Sequence, residues 1–221
     1  MSNFTAWRSL VDGEEIGAIP DTEDLHFRYD FSEEDGSMPV ADLSNNGHDL
    51  GNGSYSGTSA EINGLNAGDF DGDSDGIHGN IGSLEPPFHD FFVLRWDQLT
   101  DGDYAFADTD DNHPSMRDNS DEWAFRADNN DMVSTTYDTE VHIIEVLWDD
   151  ENRLVVDGAE EDTLSETPNT ATDFGLGYAS FSDDRHSDIT VGELLRYDRD
   201  KTDSADDIRQ YLGDKWGIGL S

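Results

Sequence analysis

The chain has 221 residues, of which 52 are acidic and 12 are basic, and its formal net charge at pH 7 is −40. This charge excludes a nucleic-acid-binding protein, because no basic patch could neutralise phosphates, and it disfavours contact with anionic lipid. The chain has no cysteine, which excludes disulfides and thiolate metal sites, and no apolar run reaches the ~20 residues of a membrane span.

The acidic residues are spread along the chain from Asp12 to Asp214, whereas lysine occurs only at Lys201 and Lys215. A domain with this charge repels itself in dilute buffer, and ~1 M salt, with a Debye length of about 3 Å, removes most of that repulsion. An Asp-rich, lysine-poor surface is typical of proteins from extreme halophiles. We therefore expect a halophilic protein whose length suits one large all-β domain.

Residues 1–18 form a separate lead-in that we interpret as an N-terminal docking segment. Phe4, Trp7 and Leu10 recur at helical spacing, and Gly13 could end a short helix. Two interpretations stay open: the segment packs on the surface of its own domain, or it docks on another subunit. The N-terminus shows no basic region followed by an apolar stretch, so no secretory signal is predicted.

The remaining residues, 19–221, show the pattern of strands separated by turns. Residues 25–31 alternate apolar and polar side chains, and residues 141–148 are nearly continuously apolar, which predicts a central strand covered on both faces. Segments 42–54 and 66–82 are rich in turn residues. Further strands are predicted at 90–96, 103–108, 122–128, 153–158, 174–181 and 188–198. Many short strands of this kind indicate an all-β sandwich.

One helix is predicted near the C-terminus, over residues 203–217. Ser204 can cap its N-terminus, and the acidic residues in its first turn interact favourably with the helix dipole. Ile208, Tyr211 and Leu212 form an apolar stripe, and Gly213 or Gly217 ends the helix.

The C-terminal run 189–218 resembles the end of concanavalin A-like, laminin-G-like jelly-roll domains. A last strand of the pattern "GE-hydrophobic-hydrophobic-xYDR" there leads into a helix ending "YLxxKWG". Residues 19–47, 67–77 and 141–158 resemble, in the same order, the family's opening strand and turn, its "FDG" strand and its "VDG" hairpin. The matching C-terminal residues are Gly192, Glu193, Tyr197, Asp198, Arg199, Tyr211, Leu212, Lys215, Trp216 and Gly217. The resemblance implies a two-sheet antiparallel β-sandwich with a short C-terminal helix, a fold that hosts many functions.

Two acidic clusters are candidates for Ca²⁺ or another divalent cation. Asp71, Asp73 and Asp75 supply oxygens at alternating positions before Gly76, as in the first half of a calcium loop. The second half does not match, because the twelfth position is Gly82 where a bidentate glutamate is needed. The second cluster contains Asp108 and Asp110, and it could line the same rim of the sandwich. The alternative for both clusters is a solvated acidic loop.

Catalytic motifs are weak in this sequence. Glucanases with this fold carry a strand motif with paired carboxylates. The nearest match is Glu160–Glu166, but its last glutamate lies one residue beyond the position that the motif requires, and the segment is expected to be a loop. The histidines lack zinc spacing: His142 is expected to pack in the central strand, and His113 and His186 to lie on the surface. We therefore predict no catalytic residues and no enzyme.

Sugar binding would need an aromatic platform with polar side chains around it. The candidates are Tyr104 and Trp123, with Asp111 and Asn112 as polar partners, and Tyr55 is a further ring near loops. The alternative for Trp123 is a core position on its strand. Trp96 and Trp148 are expected in the core.

These observations favour a non-enzymatic, lectin-like structural module on the virion surface of a haloarchaeal virus, as a capsid decoration, turret or tail spike that binds host glycans. Modules of the resembled family generally act outside cells, and a virion carries proteins out at lysis without an export signal. The expected partners are further copies of the chain, other virion proteins and a host surface glycoprotein, with neither nucleic acid nor membrane insertion. The alternative is a cellular carbohydrate-binding or glycan-active protein, secreted or at the cell surface of a haloarchaeon.

Overall fold

A computed structural model describes residues 18–108, 114–128, 130–179 and 185–221, together with the backbone of two short strands, β1 (Leu10–Val11) and β2 (Glu14–Glu15). These two strands form an antiparallel pair in which Leu10 lies opposite Glu15. The prediction that Leu10 belongs to a short helix is therefore wrong, because Leu10 pairs with Glu15 in a strand pair instead of forming helical hydrogen bonds. Phe4 and Trp7 lie outside the described residues, so the docking role of residues 1–18 stays a prediction.

The protein is an antiparallel sandwich of two sheets, as the sequence predicts. The eight-stranded sheet has the order β15-β14-β13-β8-β17-β6-β5, and β3 pairs with β17 beside β6. Its strands are β3 (Leu25–Asp30), β5 (Ala60–Ile62), β6 (Leu65–Asp71), β8 (Phe88–Trp96), β13 (His142–Trp148), β14 (Asn152–Val156), β15 (Ala159–Leu164) and β17 (Asp188–Tyr197).

The seven-stranded sheet has the order β12-β11-β10-β9-β16-β7-β4. It contains β4 (Asn52–Ser54), β7 (Gly76–Leu84), β9 (Tyr104–Ala107), β10 (Ser115–Asp118), β11 (Trp123–Arg126), β12 (Asp131–Ser134) and β16 (Ala171–Leu176). The strand predicted to run to residue 181 ends at Leu176, because Gly177 has a φ of +80° and turns the chain.

Aromatic rings from both sheets fill the space between them. Phe92 on β8 meets Phe106 on β9 at 4.6 Å between ring centroids, and Phe27 on β3 meets Phe174 on β16 at 5.0 Å. Trp96 and Trp148 are fully buried, as predicted. Burial of this apolar surface is the main force that holds the two sheets together.

The predicted helix is confirmed as α1 (Ala205–Trp216), which covers the outer face of the eight-stranded sheet. Ile208, Leu212 and Trp216 are buried there against residues such as Phe91, so the central strand β13 is covered on both faces. Gly217, with a φ of +72°, ends the helix. Ser204 stands at the N-cap position, but its hydroxyl donates to Asp21 Oδ2 at 2.9 Å and does not cap the helix.

The C-terminal motif of the resemblance has a structural explanation in how α1 packs on β17. A Cβ at Gly192 would lie 3.1 Å from the Trp216 ring, so glycine lets the helix approach. Glu193 is fully buried and accepts hydrogen bonds from Lys215 Nζ at 2.7 Å and from Trp216 Nε1 at 3.3 Å. Lys215 also contacts Asp30, so its charge is balanced inside the protein.

The other lysine is buried as well. Lys201 is 7% exposed, and its Nζ lies 3.2 Å from Asp21 Oδ2 and 3.4 Å from Asp24 Oδ2. Both lysines of the chain are therefore internal, and each is paired with two carboxylates.

Candidate functional site

Acidic loops meet at one end of the sandwich. The loop after β6 touches the segment after β16, because His186 Nδ1 donates to the Asp75 carbonyl at 2.7 Å. The loop after β8 touches the hairpin after β10, because the Gly102 amide donates to the Asp118 carbonyl at 3.0 Å. We call this end the acidic rim and define it as residues 71–75, 97–103, 118–122, 177–179 and 185–187.

The Asp71 loop uses its own carboxylates to hold its turn. Asp71 Oδ1 accepts the amides of Asp73, Ser74 and Asp75 at 2.9 to 3.0 Å, and these bonds lower the pKa of Asp71. Asp75 is 5% exposed, and its Oδ2 accepts the Ser56 hydroxyl at 2.6 Å. Within the described ranges, no three acidic or histidine side chains come together as a metal site would require. A divalent cation at this loop stays a prediction.

Asp108 does not share the rim with the Asp71 loop, so that expectation is corrected. Its carboxylate accepts the amides of Thr172 at 2.8 Å and Asp173 at 3.0 Å, near the start of β16. The Asp71 loop instead lies past the end of the same strand. Asp108 follows the last residue of β9, which begins at the rim and runs antiparallel to β16, so Asp108 lies at the opposite end of the strand from the rim. Asp110, Asp111 and Asn112 lie outside the described residues.

The two aromatic candidates for sugar binding are buried. Trp123 is 0% exposed and Tyr104 is 1% exposed, so neither ring offers an exposed face. The Trp123 ring points between the sheets and meets the His142 ring edge-on, with 5.4 Å between ring centroids. The alternative interpretation of Trp123 as a core residue is therefore confirmed. Tyr104 lies beneath the Arg185 guanidinium at 5.6 Å. Trp123 thus belongs to the core between the sheets, whereas Tyr104 is buried in a small separate cluster with Ala107 and Ala179.

A different ring pair lies at the rim. Tyr178 and His186 stack with their ring centroids 5.6 Å apart and an angle of 9° between the planes, and both are half-buried. The Tyr178 hydroxyl contacts His78 Nδ1 on β7. Gly76 leaves the space for this stack, because a Cβ there would collide with the Tyr178 ring. The sequence carries no motif for this cluster: Tyr178 and His186 pair locally, but His78 is 100 residues away from Tyr178 along the chain.

Carboxylates crowd together beside the stack. Burial and the nearby Asp118 raise the pKa of Asp103 to about 6. Burial likewise raises the pKa of Asp118, although Tyr137 donates its hydroxyl to Asp118 Oδ1 at 2.8 Å. The rim therefore offers many hydrogen-bond acceptors next to an aromatic pair.

Glu160 and Glu161 of the glucanase-like segment lie on a strand, β15, and not in the expected loop, whereas Glu166 lies beyond the end of that strand. Glu161 accepts hydrogen bonds from Ser134 at the end of β12 and from Thr135 and Thr136 after it. Asp162 accepts the Val133 amide at 2.9 Å. These carboxylates thus join the edge strands of the two sheets and satisfy backbone donors that would otherwise be open.

No family model and no curated protein matches this chain. Among solved structures, the Trypanosoma rangeli sialidase with 2,3-difluorosialic acid superimposes with a TM-score of 0.63 and 15% identity, over 95% of this chain and 35% of the sialidase. The binding domain of Paraclostridial Mosquitocidal Protein 1 superimposes with a TM-score of 0.65 and 12% identity, over 88% of this chain and 53% of that chain. A mutant of HCR/D superimposes with a TM-score of 0.63 and 12% identity, over 90% of this chain and 56% of that chain.

The chain shares an antiparallel two-sheet β-sandwich fold with these proteins. At these identities the likeness establishes the fold alone, which agrees with the two sheets and the C-terminal helix. The chain spans about a third to about half of the length of these similar proteins. Within the described part of the chain, no helix is long and apolar enough to cross a membrane.

Proposed function

We propose that this chain is a non-enzymatic, lectin-like module that binds glycans through the acidic rim. One observation carries the proposal: the stacked Tyr178 and His186 rings contact the Asp71 loop, where His186 donates to the Asp75 carbonyl, and His186 lies near the carboxylate of Asp103. Sugars bind through their apolar faces on aromatic rings and through hydroxyls that donate to carboxylates, and the rim offers both. The likeness to a sialidase chain and to a toxin binding domain supports a carbohydrate- or receptor-binding role.

The structural roles of the β15 carboxylates support the non-enzymatic part of the proposal. Glu161 and Asp162 are engaged with β12 and the residues after it, so they are not poised as a pair around a glycosidic bond. The net charge of −40 supports a high-salt environment. We place the module on the virion surface of a halophilic virus, as a homo-oligomer with other virion proteins. Secretion by a haloarchaeon is the second candidate.

The experiment is a pull-down in multimolar salt on native and deglycosylated haloarchaeal envelopes. We expect binding to native envelopes only, and we expect His186→Ala to weaken it by roughly tenfold, because a ring contact contributes ~0.5–1.5 kcal/mol beyond its buried area. His48→Ala is the matched control. His48 is also a half-buried, stacked histidine, 4.5 Å from the His26 ring, but it lies beside Gly82 near the far end of β7.

Equal binding to native and deglycosylated envelopes would contradict glycan recognition. An equal loss with both histidine variants would contradict the assignment to the acidic rim. Immunogold labelling of particles and of uninfected cells separates the two locations, since detection in uninfected cells alone would contradict the virion assignment.

A further inference from the structure

Asparagine is followed directly by glycine at three places in the chain, which are Asn46–Gly47, Asn52–Gly53 and Asn63–Gly64. This dipeptide can react with itself, because glycine has no side chain to shield its backbone nitrogen from the amide of the preceding asparagine. All three asparagines are exposed, so access to water does not distinguish them. The contacts of their side-chain amides do.

Two of the three side-chain amides are fixed by the surrounding structure. Asn46 Nδ2 donates to the carbonyls of the first two residues of β3, at 2.7 Å and 3.0 Å. Asn63 Nδ2 donates to the Lys215 carbonyl at 3.4 Å. The Asn63 side chain also packs on the end of α1, where a Cβ at Gly217 would lie 2.7 Å from Asn63 Cγ. Each of these amides must leave its contacts before its carbon atom can be attacked.

Asn52 lacks such restraints. It is the first residue of β4, and among the described residues its side chain has no hydrogen-bond partner. β4 is three residues long, is exposed throughout, and forms the edge of the seven-stranded sheet next to β7. A short edge strand opens at a low cost in free energy, so the Asn52 side chain can reach the backbone nitrogen of Gly53.

The fold itself requires glycine after Asn52. Gly53 has a φ of +100°, and a Cβ at this position would collide with the carbonyl oxygen of Gly76 on β7. A larger residue would shield the backbone nitrogen, but it would not fit against β7. The close pairing of β4 with β7 therefore keeps the reactive dipeptide at this edge of the sheet.

We propose that Asn52 is a spontaneous modification site, at which the folded protein converts asparagine to aspartate and isoaspartate. The Gly53 nitrogen loses its proton to hydroxide and attacks Asn52 Cγ, the Cγ–Nδ2 bond breaks, and the nitrogen takes up a proton and leaves as ammonia. Water then opens the five-membered succinimide ring at either of its carbonyls. The net reaction consumes water and releases ammonia, and nothing is oxidised or reduced.

The reaction changes the sheet edge next to the stacked rings of the acidic rim. Asn52 lies opposite His78 in the register of β4 and β7, and the Tyr178 hydroxyl contacts His78 Nδ1. Either product adds a negative charge at this point. Isoaspartate also lengthens the main chain of β4 by the Cβ atom, so it alters the pairing of β4 with β7.

The test is a time course of the full, folded chain in mildly alkaline buffer with multimolar salt. Pepsin digestion in acid and tandem mass spectrometry then show which asparagines have gained the mass difference between an amide and a carboxylic acid. We expect conversion at Asn52 to be roughly tenfold faster than at Asn46 and Asn63, because the hydrogen bonds of those two amides must break first. In denaturant the three rates should become similar, since glycine follows each asparagine.

Asn52→Gln should remove the early product, because the longer side chain of glutamine closes the ring much more slowly, and Asn46→Gln is the matched control that should leave the product in place. The wild-type time course needs no variant, so it decides the question even if a variant fails to fold. Equal rates at the three sites in the folded chain, faster conversion at Asn46 or Asn63, or no conversion at Asn52 before unfolding would overturn the inference. The measurement involves no glycan, so its outcome is independent of the proposed function.

Discussion

Arg196 and Asp90 form a two-point ion pair inside the sandwich. Arg196 Nε lies 2.6 Å from Asp90 Oδ1, and Arg196 Nη2 lies 2.6 Å from Asp90 Oδ2. The guanidinium also lies 5.0 to 5.2 Å from the ring centroids of Phe27, Phe88 and Phe174. The pair thus ties β17 to β8 within an aromatic core, at a place where neither charge reaches water.

We expect Arg196→Met to destabilise the protein by about 3–5 kcal/mol, because it leaves Asp90 charged and unpaired in the core. The double variant with Asp90→Leu should lose less than the sum of the two single variants, since it removes both charges. Chemical unfolding in high salt, followed by tryptophan fluorescence, measures these values. Additive losses would show that the pair does not act as a unit.

Stability should fall as the pH rises through about 8, because of His142. Burial alone would lower the pKa of His142, but Asp157 at 2.7 Å and Asp138 at 2.9 Å outweigh it and raise the pKa to about 8. A histidine whose pKa is higher when folded contributes stability below pH ~6.5 and loses it through the folded pKa. We expect His142→Asn to lower the free energy of unfolding relative to wild type, and this loss should be about 2 kcal/mol larger at pH 6 than at pH 9. A pH-independent difference would refute the charged histidine.

Glu161→Ala should destabilise the protein by about 1–3 kcal/mol, whereas Glu160→Ala should change stability by less than about 0.5 kcal/mol. Glu161 accepts the Thr135 amide at 2.7 Å and hydroxyls of neighbouring residues, so its loss leaves donors after β12 open. Glu160 is the exposed neighbour on the same strand. Thermal unfolding compares the two variants, and equal effects would argue against a specific seal between β12 and β15.

The melting temperature should rise steeply between ~0.1 M and ~1 M KCl, as screening removes the repulsion among 40 net negative charges. Sucrose is the control, because it stabilises proteins by exclusion from their surface without screening charge. A melting temperature that does not depend on KCl would refute the halophilic interpretation.

Local pattern predicts much of this fold. Alternation over residues 25–31 gives β3, the apolar run 141–148 gives β13, and the spacing of Ile208 and Leu212 gives α1. The segment after Gly158 is predicted as a loop because it follows the VDG turn. It forms β15 because β14 and the donors after β12 hold those carboxylates, and this contact is between distant parts of the chain.

The candidate site is less accessible to sequence reasoning. Rings with a strand pattern, such as Trp123, belong to the core because their strands lie within a sheet, and burial decides their role. Tyr178 and His186 meet in a local antiparallel bridge, but His78 reaches them only because β7 and β16 are neighbours, and no spacing in the chain reports that register. The position of Asp108 was mistaken for the same reason.

The burial of both lysines has a practical consequence for handling the protein. Lys201 is 7% exposed and Lys215 is 3% exposed, so acylating reagents such as N-hydroxysuccinimide esters find no accessible lysine ε-amine while the chain is folded. Modification of Lys215 then becomes a covalent record of α1 leaving the sheet, and its rate reports how often that opening occurs. Coupling to dyes or resins would need carboxylate chemistry, for which this surface is unusually rich.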